Sequence, residues 1–116
     1  MTVIINAGDL QHRLEFQSPP VGRDGMGARS GAWVTEFTAW GAAWPLSSRE
    51  LVAAGQVQSE ITVRFRIRWR AGVLPSWRVL WRGVPHAIVG DPIDVQGQRV
   101  ALDLLCAAGI RDGVNA

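Results

Sequence analysis

The residues with the clearest potential for chemistry form one row of arginines near the middle of the chain. From Ile61 to Arg70, apolar and polar side chains alternate strictly. Because successive side chains of a β-strand point to opposite faces, this spacing predicts a half-buried strand with a basic outer face. The predicted basic face consists of Arg64, Arg66, Arg68 and Arg70.

Three interpretations fit such a face, and the first is an ordinary solvated sheet face. Four like charges along one strand repel each other unless acids lie across the sheet, where Glu15, Glu36 and Asp103 can supply them. Nucleic-acid phosphates would neutralise the arginines without regard to base sequence. A protein partner is the third, because Arg and Trp are enriched at interfaces and the chain has six Trp. Some of Trp33, Trp77 and Trp81 are therefore expected to be interface anchors.

Few residues in the sequence support catalysis, a metal or a cofactor. His12 and His86 fall on predicted strands, without a nearby cysteine or paired carboxylates at ligand spacing. The glycine-rich stretch GRDGMGARSG, residues 22–31, has neither the strand-to-helix context nor the Lys-Ser/Thr of a phosphate-binding loop. Cys106 lies in an apolar run and is expected to be a buried hydrophobe. The sequence therefore contains no set of residues that indicates a small hydrolase.

Length and composition predict one soluble domain over residues 1–116. The formal net charge is +2, and all twelve basic residues counted as Lys or Arg are arginine. A single cysteine excludes a disulfide within the chain. The N-terminus lacks the features of a signal peptide, and no run approaches the roughly 20 apolar residues of a membrane span. We therefore expect a protein made in the cytoplasm, with no membrane contact.

The elements that must position the arginines are mostly strands. Gly41 is expected to mark a bulge, and Pro45 to end the strand that contains it. The pattern predicts an all-β fold, a small antiparallel β-barrel or sandwich of about six strands. Period-two alternation places the strands at residues 11–18, 32–46, 61–70, 77–82, 84–89 and 99–106.

Other segments are assigned from residues that cap a helix or interrupt regular secondary structure. Ser47 and Glu50 form a capping box that predicts one short helix over 47–55. Glycine, proline and charged residues at 19–31 predict a long Gly-rich, extended loop. The chain ends are read as an N-terminal arm over 1–9 and a frayed tail over 107–116.

The order of these elements resembles the head–tail joining (head closure, or stopper) proteins of tailed bacteriophages and gene transfer agents. The resemblance covers about residues 8–108 and follows the segments WPL, SSREL and QVQSEITVRFRIRWRAGV. Gly55 departs from it, because a helix-forming residue is more usual there. The most specific matching residues are Ser48, Arg49, Glu50, Ala54, Gln56, Thr62, Arg68, Trp69, Arg70 and Gly72.

The resemblance implies a structural role without catalysis or cofactor. Family members are β-barrels that assemble as a ring, twelve-fold by this resemblance, beneath the portal and its adaptor. The ring extends the channel for double-stranded DNA, retains the packaged DNA and offers a surface to the tail terminator or tail tube. The chain would thus be assembled in the bacterial cytoplasm into the neck of a virion or virion-like particle.

The loop and the helix segment are expected to form the interface or channel surface of such a ring. The alternative function is a free, sequence-independent nucleic-acid-binding β-barrel of the oligonucleotide-binding type. The residues predicted at the interface or channel are Arg23, Asp24, Met26, Arg29, Ser48, Arg49, Glu50, Gln56 and Gln58.

Overall fold

The fold is known from a computed structural model, which describes most of the predicted strands. The predicted helix over 47–55 and most of the predicted tail lie outside the described residues. The structure describes residues 3–20, 22–23, 29–30, 32–46 and 62–108.

The described part of the chain is built almost entirely from antiparallel strands. Two short 3-10 helices, Ala7–Asp9 and Val95–Gly97, accompany them. The strands are β1 (His12–Ser18), β2 (Gly22–Arg23), β3 (Arg29–Ser30), β4 (Val34–Pro45), β5 (Val63–Arg68), β6 (Arg78–Trp81), β7 (Val84–Ile88), β8 (Ile93–Asp94) and β9 (Ala101–Ala108).

Six of these strands close into a barrel. Their order is β5-β4-β1-β6-β7-β9, and a further pairing between β5 and β9 completes the circle. Strand β8 is an extra strand that pairs with β9, whereas β2 and β3 form a separate two-stranded sheet. The predicted small antiparallel barrel of about six strands is therefore confirmed, and closure leaves the barrel wall without free edges.

The barrel interior is filled by the apolar half of each alternating strand. On β5, Val63, Phe65 and Ile67 are at most 3% exposed, as the period-two pattern predicts. Each large apolar side chain buried in this way contributes about 1.5–3 kcal/mol relative to an exposed one. The fully or nearly buried core cluster comprises Leu14, Phe16, Val63, Phe65, Ile67, Val79, Ile88, Leu102, Leu104 and Cys106.

Gly41 does not mark a bulge, so that prediction was wrong. The β1–β4 register is regular up to its last pair at Gly41, the β4–β5 register is regular from Gly41 onward, and the irregularity lies between Phe16 and Gln17 on β1. A Cβ atom on Gly41 would lie 2.6 Å from the Leu14 Cδ1 atom and 2.8 Å from the Arg66 carbonyl oxygen. The glycine is therefore needed because neighbouring strands approach closely at this point.

Backbone geometry also moves the start of the last strand. Arg99 has φ 56°, a left-handed conformation that does not continue a strand, so β9 begins at Ala101 rather than at the predicted position 99. The β6–β7 hairpin, in contrast, turns at Gly83, between the strands predicted at 77–82 and 84–89. Arg82 (φ 54°) and Gly83 (φ 77°) form a two-residue loop whose positive φ values are those of a type I′ turn.

The N-terminal arm packs on the barrel where the structure describes it. The backbone N–H of Val3 donates a hydrogen bond to Gln98 Oε1 at 2.7 Å. Ile5 and Leu10 line a small cavity of about 80 Å³ over β4. Ala42, on the same cavity wall, is only 2% exposed although it faces away from the barrel core. The arm thus acts as a partial second layer outside β4.

Candidate functional site

The predicted basic face lies on the outside of β5, between β4 and β9. Arg64, Arg66 and Arg68 alternate with three buried apolar residues, so the predicted alternation is confirmed over this strand. Strand β5 ends at Arg68, and Arg70 lies beyond it. The guanidinium carbon of Arg70 is 3.6 Å from the centroid of the Phe37 ring, which itself packs against the hydrophobic core.

Arg66, at the centre of the row, is neutralised within the chain. Its Nε and Nη2 atoms donate hydrogen bonds to the two carboxylate oxygens of Asp103, at 2.6 and 2.9 Å. The pairing follows from the strand register, which places Asp103 on β9 directly opposite Arg66. The hydrogen bond to Asp103 raises the pKa of Arg66, against the opposing effect of burial. Paired in this way, Arg66 does not need an external anion.

The other two predicted acids do not serve the row. Glu36 accepts a hydrogen bond from the Ser18 hydroxyl at 2.6 Å, and Glu15 lies opposite Thr38 and Leu80. Of the three acids named from the sequence, Asp103 is therefore the one that the fold brings to the arginines.

Arg64 is satisfied mainly by an aromatic ring. Its guanidinium carbon lies 4.7 Å from the centroid of Trp44, and that of Arg66 lies 5.4 Å from the same ring. Both distances are within the range of cation–π attraction. The Nε atom of Arg64 is buried and has no hydrogen-bond partner among the described residues. Trp44 and Asp103 thus take up two of the three arginines on the outer face of β5.

The remaining end of the row is open. Arg68 and Arg70 line a surface groove of about 300 Å³ together with Trp40 and Trp69. Trp40 is 61% exposed, and its strand partner on β1 is the exposed Arg13. We call this depression the Trp40 groove; its lining residues are Leu10, Ala39, Trp40, Arg68, Trp69 and Arg70.

Trp40 was missed as the exposed tryptophan. Of the three tryptophans among which interface anchors were expected, Trp77 and Trp81 are partly buried and pack against the hydrophobic core. Trp33 is half-buried, with the Arg78 guanidinium 4.3 Å from its ring centroid. The signal that could have identified Trp40 was its position on the outward face of β4, together with Ala42 and Trp44.

The predicted loop and helix positions are only partly described. Strands β2 and β3 pair Arg23 with Arg29 in a small hairpin, so a short ribbon exists where the sequence predicted an irregular loop. The hairpin makes no strand pairing with the barrel sheet. The other predicted interface residues, Asp24, Met26, Ser48, Arg49, Glu50, Gln56 and Gln58, lie outside the described residues.

The described histidine and cysteine inside the barrel, His86 and Cys106, are buried and serve the packing of the core. The His86 Nδ1–H donates to the Val84 carbonyl at 2.8 Å, and burial lowers the pKa of this histidine. Burial raises the pKa of the Cys106 thiol well above its usual range. Over the described ranges, no group of three His, Cys, Asp or Glu residues could hold a metal ion. Within those ranges there is also no helix with the length and apolar character needed to cross a membrane.

Comparison with known proteins identifies the family. The family model for phage head completion proteins matches residues 5–109. This chain belongs to the phage head completion protein family. It is 32% identical over 84 residues to head completion protein gp16 of Bacillus phage SPP1, an alignment that covers 72% of this chain and 77% of that protein. The solution structure of protein SF1141 from Shigella flexneri 2a is also similar, with a TM-score of 0.73 and 28% identity over 92% of this chain and 99% of that one.

Family membership confirms the resemblance predicted from the sequence and gives the chain a general role in phage head closure. A phage head completion protein acts with other phage proteins in the connector between capsid and tail. The protein is accordingly a component of the virion neck.

Proposed function

We propose that this chain is the subunit of a head-closure, or stopper, ring. The ring docks beneath the portal and its adaptor, extends the DNA channel, helps to retain the packaged DNA and offers the surface to which the tail attaches. This role is structural and involves neither catalysis nor a cofactor. The observation that carries the proposal is the family match over residues 5–109, which spans the whole closed barrel.

The barrel architecture suits a ring subunit. Because six strands close into a circle, strand edges are left only where a strand extends beyond it, as at β8 and residues 34–40 of β4, so most contacts between copies would come from side-chain surfaces and from segments outside the wall. A closed ring of identical subunits needs two different, complementary surfaces on each subunit. The outer face of β5 can contribute to one of these surfaces, because Arg66 is already paired with Asp103 while Arg68 is exposed.

We also propose that the loop at 19–31 and the segment at 47–58 make contacts with ring neighbours, adaptor, tail or channel DNA. The β2–β3 hairpin within the loop is separate from the barrel sheet, so it can serve another chain without disturbing the core. Any contact with duplex DNA in the channel would be with phosphates, and therefore independent of base sequence.

The alternative, a free nucleic-acid-binding barrel, has less support. Such binding needs a row of arginines that are available to several phosphates. On the outer face of β5, however, Arg66 is paired with Asp103 and Arg64 lies against Trp44. Only Arg68 on that strand face is left for a phosphate.

The decisive experiment is to purify particles from cells that express the wild-type chain and from cells that lack its gene. We expect the wild-type chain in the neck, seen as a ring by electron microscopy. Without it, filled heads should lose DNA and fail to attach tails. A chain that stays monomeric and never enters particles would overturn the proposal.

A deletion of residues 22–30 tests the contact role of the loop. We expect a folded barrel, judged by circular dichroism and thermal unfolding, that no longer enters particles. An unfolded product would instead assign the loop a structural role.

A further inference from the structure

We infer that the Trp40 groove of one copy receives the Asp91–Ile93 segment of the next copy. This assigns both halves of a subunit–subunit contact to particular residues. It rests on the proposed ring function, because it requires several copies of the chain side by side in the neck.

The groove has the composition of a binding surface, and the described residues leave it uncovered. Trp40 is 61% exposed and lies beside Leu10 and Trp69, so the apolar surface here is a contiguous patch rather than a single side chain. Arg13 on one side and Arg68 on the other are both exposed and make no ion pair with any described residue. None of the described lining residues is acidic. The groove therefore fits an apolar side chain that is accompanied by a carboxylate.

The Asp91–Ile93 segment carries these two groups. Asp91 is exposed and makes no hydrogen bond or ion pair with a described residue, and Ile93 is 46% exposed although it is a large apolar side chain. The base of the segment is fixed, because Asp94 accepts a hydrogen bond from the Arg99 backbone N–H at 2.9 Å. Pro92 between the two groups further limits the conformations of the segment. Little entropy would be lost when such a segment docks.

The two surfaces cannot meet within one chain. Trp40 lies on β4 and Ile93 on β8, and the strands β5 and β9 lie between them in the barrel wall. Because the wall is curved and closed, the groove and the segment face different directions. A contact between two different surfaces of identical subunits is head-to-tail, and head-to-tail contacts generate rings when the rotation closes.

Duplex DNA fits the groove less well than a protein segment does. The bases of a duplex are stacked and paired, so an exposed tryptophan in a surface depression has no base face to contact. The two exposed arginines could reach phosphates, but the exposed ring of Trp40 would then remain uncovered. A partner with both an apolar and an acidic group accounts for the whole lining.

Charge exchange across the contact provides the test. Arg68→Asp places an acid in the groove opposite the acidic Asp91 of the next copy, and Asp91→Arg places a basic residue opposite the basic Arg68. Each variant should repel its own copies. When the two are co-expressed in equal amounts, every contact in an alternating ring is complementary, and the double variant is complementary to itself.

The measurement is the number of copies per purified particle, by quantitative mass spectrometry. We expect each single variant to fall about tenfold or more below wild type, since like charges across an interface cost more than 1.4 kcal/mol. Co-expression and the double variant should both restore incorporation. Arg82→Asp, the same charge change at the exposed β6–β7 turn, should be incorporated normally, and thermal unfolding should show that all variants are folded.

The outcomes separate this inference from the proposed function. Wild-type incorporation with single variants that behave like wild type, or with losses that neither co-expression nor the double variant restores, overturns the inference and leaves the ring function standing. The second pattern would indicate that Arg68 contacts DNA or another protein. Absence of the wild-type chain from particles would overturn both.

Discussion

The two faces of strand β5 differ in how far this chain satisfies them. On the inner face, Val63, Phe65 and Ile67 are fully enclosed by the other strands of the barrel. On the outer face, the arginines have fewer partners toward the end of the strand. Arg66 is paired with Asp103, whereas Arg68 is exposed beside Trp40. The barrel core is filled by side chains of this chain, whereas one end of the outer wall leaves Arg68 and Trp40 exposed.

This difference separates residues that hold the barrel together from residues that the described chain leaves exposed. Trp81 packs edge-on against Phe65 with ring centroids 5.4 Å apart, while Trp40 stands in solvent. The same side-chain type therefore has two roles in one small domain. The predictions that follow test this separation by the stability that each position contributes.

The largest effect is expected from Phe65→Ala on the inner face. The truncation removes a fully buried ring and leaves a cavity at the barrel centre, which should lower the free energy of unfolding by about 3–5 kcal/mol. Urea denaturation measures this. The matched control is Arg68→Ala on the outer face of the same strand, which should change stability by no more than about 0.5 kcal/mol. Equal effects would show that the two faces do not differ as described.

A smaller effect is expected from Asp103→Ala. It leaves the Arg66 guanidinium, whose side chain is only 23% exposed, without its carboxylate, and should cost about 1–3 kcal/mol. A double-mutant cycle with Arg66→Met measures the coupling between the pair by urea denaturation. The exposed Asp91→Ala is the control for loss of one acid. A coupling near zero would mean that the outer face is not satisfied at Arg66.

His86 should make stability depend on pH. Burial lowers the pKa of His86 in the folded state below the unfolded value of about 6.5, so folding favours the neutral ring. Its contribution is complete above that pH and is lost as the pH falls through the folded-state pKa, by at most about 1.4 kcal/mol per pH unit. Urea midpoints between pH 5 and pH 8 measure this. His86→Gln, which cannot titrate, should flatten the slope, and an unchanged slope would assign it to other groups.

The smallest effect on stability is expected from Trp40→Ala. Because the side chain is 61% exposed, we expect a change within about 0.5 kcal/mol, despite the loss of the largest side chain type. Trp81→Ala, which removes a ring packed on the core, should lower the free energy of unfolding by about 3–5 kcal/mol. Thermal unfolding of both variants measures the difference. A large loss for Trp40→Ala would show that the groove stabilises the barrel itself.

Local patterns in the sequence were sufficient to find the six strands of the barrel, though not all their ends, and to assign the two faces of β5. The alternation from Val63 to Arg68 is a property of neighbouring residues, and so is the turn at Gly83. Which acid pairs with Arg66 is different, because it depends on the register between β5 and β9, which lie far apart in the chain. Composition alone could not choose Asp103 over Glu15 or Glu36.

Two other features were beyond the sequence for related reasons. A glycine in a strand can mark a bulge or a close approach, and only the positions of Leu14 and Ile67 around Gly41 decide between them. Strand β8 is two residues long, too short for any period, and its sequence reads as part of a turn. Exposure of Trp40, rather than Trp77 or Trp81, followed from which face of each strand the closed barrel turns inward.

The buried cysteine has a practical consequence. Cys106 is the sole cysteine of the chain, lies fully inside the barrel and has a thiol that resists ionisation. Thiolate is the form that reacts with maleimides and with other thiols. A cysteine introduced at an exposed position would therefore be the one reactive thiol in the native protein. Fluorophores, spin labels or crosslinkers can thus be placed on the wild-type background, and distances between subunits measured inside an intact neck.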